Sequence, residues 1–253
     1  MENKRTIDLN ADLGEGASCD EAILGCVSSA NIACGGHAGD PASMRTAVQL
    51  ARRHGVAIGA HPSFPDREHF GRNEMNLPLS QVLDTVSMQI QALREIVTQE
   101  GALLTHVKPH GALYNQAARD PALAQVIVQA VAGIDPALRL FGLSGSALIA
   151  AAKTAGLAVA EEVFADRRYQ ANGALASRSL PQAMIDDVQQ ALAQALCMIR
   201  DGKVLALDGS TLRLQVDTVC LHGDGAHALE LARLLRQTLT TQGITVCAMG
   251  ARP

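Results

Sequence analysis

Tryptophan is missing from this sequence, and only six of its 253 residues are aromatic. Surfaces that stack bases or sugars need aromatic platforms, so few rings are available for such work. There is no basic block, and the formal net charge is −4, which excludes the electrostatic footprint of a nucleic-acid binder. No apolar run reaches the roughly 18 residues of a membrane span. The opening Met-Glu-Asn-Lys-Arg-Thr carries no hydrophobic signal region. The six cysteines, at positions 19, 26, 34, 197, 220 and 247, form no C-x-x-C pair, so a zinc ribbon or redox motif is not expected. Cys34 and Cys220 lie in apolar runs and read as buried thiols of a reducing compartment. Neither G-x-x-x-x-G-K-[ST] nor a complete G-x-G-x-x-G occurs, so no phosphate-binding loop is signalled. These absences leave a soluble cytoplasmic protein with no nucleic-acid or membrane partner.

What is present is a rhythm. Apolar residues make up 48% of the chain, enough for a sizeable core. Strand-like runs at Ile7–Asp12, Asn31–Cys34, Val56–Ala60, Leu103–Lys108, Leu138–Leu143, Leu157–Phe164 and Asp217–Leu221 alternate with helical stretches. The helices are expected at Met44–His54, Ser80–Glu100 with Ser80 as cap, Leu123–Val131, Ser146–Ala155, Pro181–Arg200 and Ala226–Gln242. A surface hairpin around Asp208-Gly209 and a last short strand, Ile244–Met249, complete the pattern. Such alternation implies a parallel sheet with helices outside. Asp8, Asn10 and His106 sit inside strands, where an open sheet covered on both faces would bury them at a cost. A single α/β domain is therefore expected, an irregular TIM-like (β/α) barrel of about seven parallel strands.

Strand after strand ends in a polar group followed by glycine or proline. The ends deliver Asp12 and Glu15; His37 and Asp40; His61 and Asp66; Lys108 and His110; Asp166 and Arg167; His222 and Asp224. In a parallel barrel these ends open on one face, where active sites of this architecture lie. Asp12 and Asp40 also suit helix caps, and His54, His69 and His227 suit ordinary structural or exposed positions. Histidines at four separate strand ends (His37, His61, His110 and His222) form a collective pattern instead. The chemistry of such a set is hydrolytic. Asp12, His37 and His61 can hold a divalent metal that acidifies a bound water. Lys108 can stabilise an oxyanion while His110 moves a proton, or it can serve as a Schiff-base nucleophile. Arg72 and Arg167 suit a clamp on a substrate carboxylate, and Arg168 suits solvated surface.

The segments Ile7–Gly16, Ser29–Asp40, Gly55–Asp66, His106–Asn115, Glu161–Tyr169 and Thr218–Gly225 resemble the LamB/YcsF family, described as the A component of 5-oxoprolinase. The resemblance runs in order along nearly the whole chain. It implies a barrel of the glycoside hydrolase/deacetylase type and ATP-dependent (with Mg2+) opening of 5-oxoproline to L-glutamate. It also implies two partner subunits, B and C, and a homo-oligomer is compatible with it. By motif position, Asp12, Glu15, His37, His61, Asp66, Lys108, His110, His222 and Asp224 become site candidates. Of these and the arginines, Asp12, His61, Lys108, His110 and Asp224 are assigned to catalysis. Glu15, His37, Asp66, Arg72, Arg167 and His222 are assigned to substrate binding. The sequence departs from the family at Gly36, where phenylalanine is usual, so a pocket loosened beside His37 is expected. Further departures are Ala11 for cysteine, Asn172 for aspartate, and Leu180-Pro181 for a glycine-alanine step. Two other readings compete: a metal-dependent, deacetylase-like amidohydrolase acting alone, and a non-catalytic subunit that binds substrate for its partners.

Overall fold

A computed structural model describes residues 6–17, 19–221 and 227–250. Seven parallel strands close into a barrel: β1 (Thr6–Leu13), β2 (Ser29–Ala33), β3 (Ala57–His61), β4 (Leu104–Val107), β5 (Arg139–Leu143), β6 (Val159–Phe164) and β9 (Thr218–Leu221). Pairing of β9 with both β6 and β1 completes the ring. An antiparallel hairpin, β7 (Lys203–Leu205) and β8 (Thr211–Arg213), and a short edge strand, β10 (Thr245–Val246), lie outside it.

Period-two alternation sorts the residues of β1. Leu9, Ala11 and Leu13 are fully or nearly fully buried in the apolar layer, while Asp8, Asn10 and Asp12 take part in a polar network inside the barrel. Asp8 accepts from Ser28, Ser29 and Thr218. Asn10 donates to Thr218 and Glu162, Asn31 donates to Asn10 and Asp12, and the His106 ring bonds Asn31. Every link satisfies a group that would otherwise be buried alone. Gly59 makes room for this column, because a Cβ there would collide with the His106 ring. Burial holds the His106 imidazole down to about 3, so it stays neutral within the network.

The helices are α1 (Asp20–Leu24), α2 (Pro41–His54), α3 (Leu79–Gln99), α4 (Gly111–Ala117), α5 (Pro121–Ile134), α6 (Ala147–Thr154), α7 (Val188–Asp201) and α8 (Ala228–Thr241). Asp40 caps α2 by accepting from the backbone of Ala42 and Ser43, so its carboxylate serves the helix. The expected apolar stripe of α3 is buried at Val82, Val86, Ile90, Leu93 and Val97. Its start differs from expectation: Pro78 stands at the N-cap without a side-chain bond, and Ser80 lies inside the first turn. The helix expected from Pro181 begins only at Val188, capped by Asp187. The intervening segment is drawn onto the loop after β6, where Arg167 bridges Met184 and Ile185 N donates to Asp166 O. No helix of the described residues is long and apolar enough to cross a membrane.

Candidate active site at the barrel mouth

The turn after β1 passes through Gly14 at φ 74° and sends Glu15 over the barrel. After β2, Gly35 at φ 101° closes a tight turn by donating its N–H to Ala38 O, which points His37 inward. His61 is the last residue of β3, and Lys108 and His110 follow β4. These side chains converge. His37 Nε2 lies 2.8 Å from Glu15 Oε1. The His37 and His110 rings stack with centroids 3.6 Å apart, and His110 Nδ1 lies 2.9 Å from His61 Nε2.

That last contact fixes the proton count. His61 Nδ1 donates to Lys108 O at 2.7 Å, and His110 Nε2 donates to Phe70 O at 3.0 Å. With both outer nitrogens carrying hydrogen, two neutral rings would face each other lone pair to lone pair. Either a cation lies between them or one ring holds a second proton. Without a metal that proton belongs to His61: burial disfavours its charge, but Asp12, with Oδ2 3.4 Å away, raises its affinity for the proton. His110 is pushed well below the ordinary histidine range by burial and by its two neighbouring imidazoles, and burial also lowers His37.

The same geometry suits a metal. One ligand atom each from Glu15, His37, His61 and His110 falls within 4.8 Å of the others. Outer ring nitrogens tied to carbonyl oxygens are the usual orienting shell of ligating histidines. Three imidazoles and one carboxylate match a borderline divalent ion such as zinc. The cluster differs from the set expected from the sequence, Asp12, His37 and His61: Glu15 and His110 stand with His37 and His61, and Asp12 turns to Lys108.

Lys108 is 2% exposed, with Nζ 3.0 Å from Asp12 Oδ1 and 2.8 Å from Glu162 Oε1. Asn10 Oδ1 and Cys220 Sγ lie at 3.2 and 3.1 Å. Burial opposes the charge, yet Asp12, Cys220 and Glu162 together hold the ammonium well above the ordinary lysine range. An ammonium held between two carboxylates suits charge stabilisation better than a Schiff-base nucleophile. Glu162, on β6, also accepts from Tyr114 Oη at 2.7 Å. Neither residue stands out in sequence; the available signal was an acid alternating inward within a buried strand.

The remaining candidates separate. Asp66 stays within its own loop, accepting from His69 Nδ1 and from the backbone of His69 and Asn73. It is not among the residues lining the cavity, and it shapes the turn that brings Phe70, at φ 57°, and Gly71 against the histidines. Arg72 is exposed on the rim with its guanidinium 4.9 Å above the Phe70 ring. Arg167 is buried against the cavity. His222 and Asp224 lie outside the described residues. The cavity itself measures about 520 Å³ and is lined by Asp12, Glu15, His61, Lys108, His110 and Arg167 among others.

Gly36 does not loosen this pocket. It packs away from the cavity on Ser63 and Gln89, where a Cβ would collide with both side chains. Gln89 there bonds Ser63 N and O. The ring beside His37 is instead Phe70, edge-on at 5.2 Å. Gly36→Ala should cost about 1–3 kcal/mol of overpacking. In urea denaturation, Gly36→Ala/Gln89→Ala should cost clearly less than the sum of the single changes, and strict additivity would contradict this packing.

A family model described as the LamB/YcsF family matches residues 7–252. The chain belongs to the LamB/YcsF family. It is 45% identical to the lactam utilization protein from Thermus thermophilus, whose crystal structure superposes with a TM-score of 0.89, covering 96% of this chain and 100% of that one. The peptidoglycan deacetylase PdaC from Bacillus subtilis shares the fold at 14% identity, with a TM-score of 0.52 over 98% of this chain and 89% of that one.

Proposed function

We propose that this chain is the A component of a 5-oxoprolinase, which opens 5-oxo-L-proline to L-glutamate with ATP (and Mg2+) in complex with subunits B and C. One observation carries the reading: Glu15, His37, His61 and His110 meet in the barrel mouth beside a buried lysine cation. The kinship to a lactam utilization protein supports the substrate class. Six free cysteines suit the cytoplasm, where such an enzyme component would work.

Opening the ring forms a C–O bond from water, breaks the C–N bond and delivers a proton to the leaving nitrogen. Glu15, held by His37 at 2.8 Å, takes the proton from the attacking water. The proton held between His61 and His110 goes to the ring nitrogen. Lys108 offsets negative charge on the carbonyl oxygen, exchanging its contacts to Asn10 and Cys220 while Asp12 and Glu162 hold it in place. ATP drives the opening of an unstrained lactam when its γ-phosphoryl passes to the lactam oxygen, releasing ADP. Water attack then breaks the C–N bond to leave an acyl phosphate, and a second water releases phosphate and glutamate. A divalent metal held by Glu15, His37, His61 and His110 would supply Lewis acidity at the same place.

The complex of this chain with subunits B and C should form glutamate from 5-oxoproline only when ATP is present. No ATP-dependent glutamate would sink the assignment. The four-ligand cluster also favours a second reading, a metal-dependent amidohydrolase acting alone. ATP-independent amide hydrolysis by the purified chain, lost on chelation, would establish that reading instead.

A further inference from the structure

The barrel mouth divides by chemistry. Glu15, His37, His61 and His110 come from the arc β1 to β4, whereas Arg167 follows β6 on the opposite side of the closed ring. Arg167 is 5% exposed and lies against the cavity. Its Nη2 donates to Ala176 O at 2.6 Å, but its Nε–H meets no partner among the described residues. A buried donor of this kind is costly to leave unpaired, and a ligand can satisfy it. The Arg178 guanidinium shares this wall and, after burial itself, is the largest influence pulling Arg167 down to about 10. A buried guanidinium with an unspent N–H at a cavity wall suits an anionic ligand, which would meet Arg167 with the Asp166 carboxylate also nearby. Ser146, whose Oγ accepts from Ile149 N and keeps its own hydrogen to donate, also lines the cavity here.

The cavity, at about 520 Å³, is much larger than a five-membered lactam with one carboxylate. That carboxylate sits on the carbon next to the ring nitrogen. The amide is assigned to the histidines of the β1–β4 arc, and Arg167 lies across the barrel ring from them. We infer that the Arg167 wall is a phosphoryl-binding subsite, through which the terminal phosphates of a nucleotide enter the barrel opposite the histidine cluster. The inference rests on the ATP-dependent reading above and gives the nucleotide a place in a chain that has no glycine-rich phosphate loop.

Calorimetric titration of the full-length chain with inorganic pyrophosphate tests it directly, without any turnover. Wild type should bind about one pyrophosphate per chain, with affinity at least about tenfold weaker in Arg167→Lys and lost in Arg167→Gln. Arg167→Lys keeps a donor toward Ala176 O, and an unchanged circular dichroism spectrum would confirm that it folds. In the complex with subunits B and C, Arg167→Lys should raise KM for ATP about tenfold while KM for 5-oxoproline stays within about twofold. The inference is overturned if wild type does not bind pyrophosphate, if neither variant weakens binding, or if only KM for 5-oxoproline rises. A complex inert toward 5-oxoproline would remove the functional reading, and the pyrophosphate titration would still decide the subsite.

Discussion

Lys108→Met will both destabilise the protein and stop its reaction. The substitution removes a cation from between Asp12, at 3.0 Å, and Glu162, at 2.8 Å, and leaves two carboxylates facing each other inside the barrel. Breaking a buried pair in this way costs about 3–5 kcal/mol, because the stranded charge has no water to turn to. For a domain of this size the thermal midpoint should fall by about 10 °C. Differential scanning calorimetry of the purified chain measures that fall. A double change, Lys108→Met/Glu162→Gln, should recover part of the loss, since it removes one of the two stranded charges. Turnover at saturating substrate should drop about 100- to 1,000-fold, the usual effect of losing one stabiliser of an oxyanion. A Lys108→Met chain of wild-type stability would mean that the lysine does not hold the carboxylates together.

Glu15→Gln should have the second largest effect, and it acts on chemistry more than on stability. Glu15 lies at the cavity edge with its side chain 11% exposed, so an amide of equal size is tolerated. It bonds His37 Nε2 at 2.8 Å and lies 3.4 Å from His110 Nδ1. Replacing the carboxylate removes both the proton acceptor and the only anionic member of the four-atom metal set. The rate at saturating substrate should fall by about 10²–10⁴-fold. Any divalent ion bound by wild type, measured by mass spectrometry after dialysis, should be lost from the variant as well. A thermal midpoint within a few degrees of wild type would show that the loss lies in the chemistry.

Much of this site was legible because a barrel converts local sequence pattern into position. Alternation along β1 placed Asp8, Asn10 and Asp12 on one face, and the barrel interior is where they lie. Polar residues followed by glycine or proline marked the strand ends, and His37, His61, Lys108 and His110 all meet there. What escaped depends on partners far apart in the chain. Glu162 matters through Lys108, just after β4, and Tyr114, on α4, and nothing within its own strand announces either contact. Phe70 matters through its carbonyl oxygen, which orients His110, and through a ring that packs on His37. Backbone acceptors carry no residue identity, so a motif cannot reveal them. Asp12 and Glu15 are close in sequence and both reach the mouth. Which one joined the histidines was decided by Lys108, which binds Asp12 from another strand. The Pro181 signal for a helix start failed for a related reason: residues 181–186 were recruited to cover the loop that carries Arg167.

The central claim is that the histidine and glutamate cluster of this chain carries out the opening of the lactam. The most direct measurement is glutamate release from 5-oxoproline by the proposed complex with subunits B and C, with kcat and KM determined separately for wild-type and Glu15→Gln chains. ATP-dependent glutamate from wild type, with kcat collapsing in Glu15→Gln while KM for 5-oxoproline holds, is the predicted result. An unchanged kcat in Glu15→Gln, with only KM raised, would contradict it and make this chain a substrate-binding component whose partners do the chemistry.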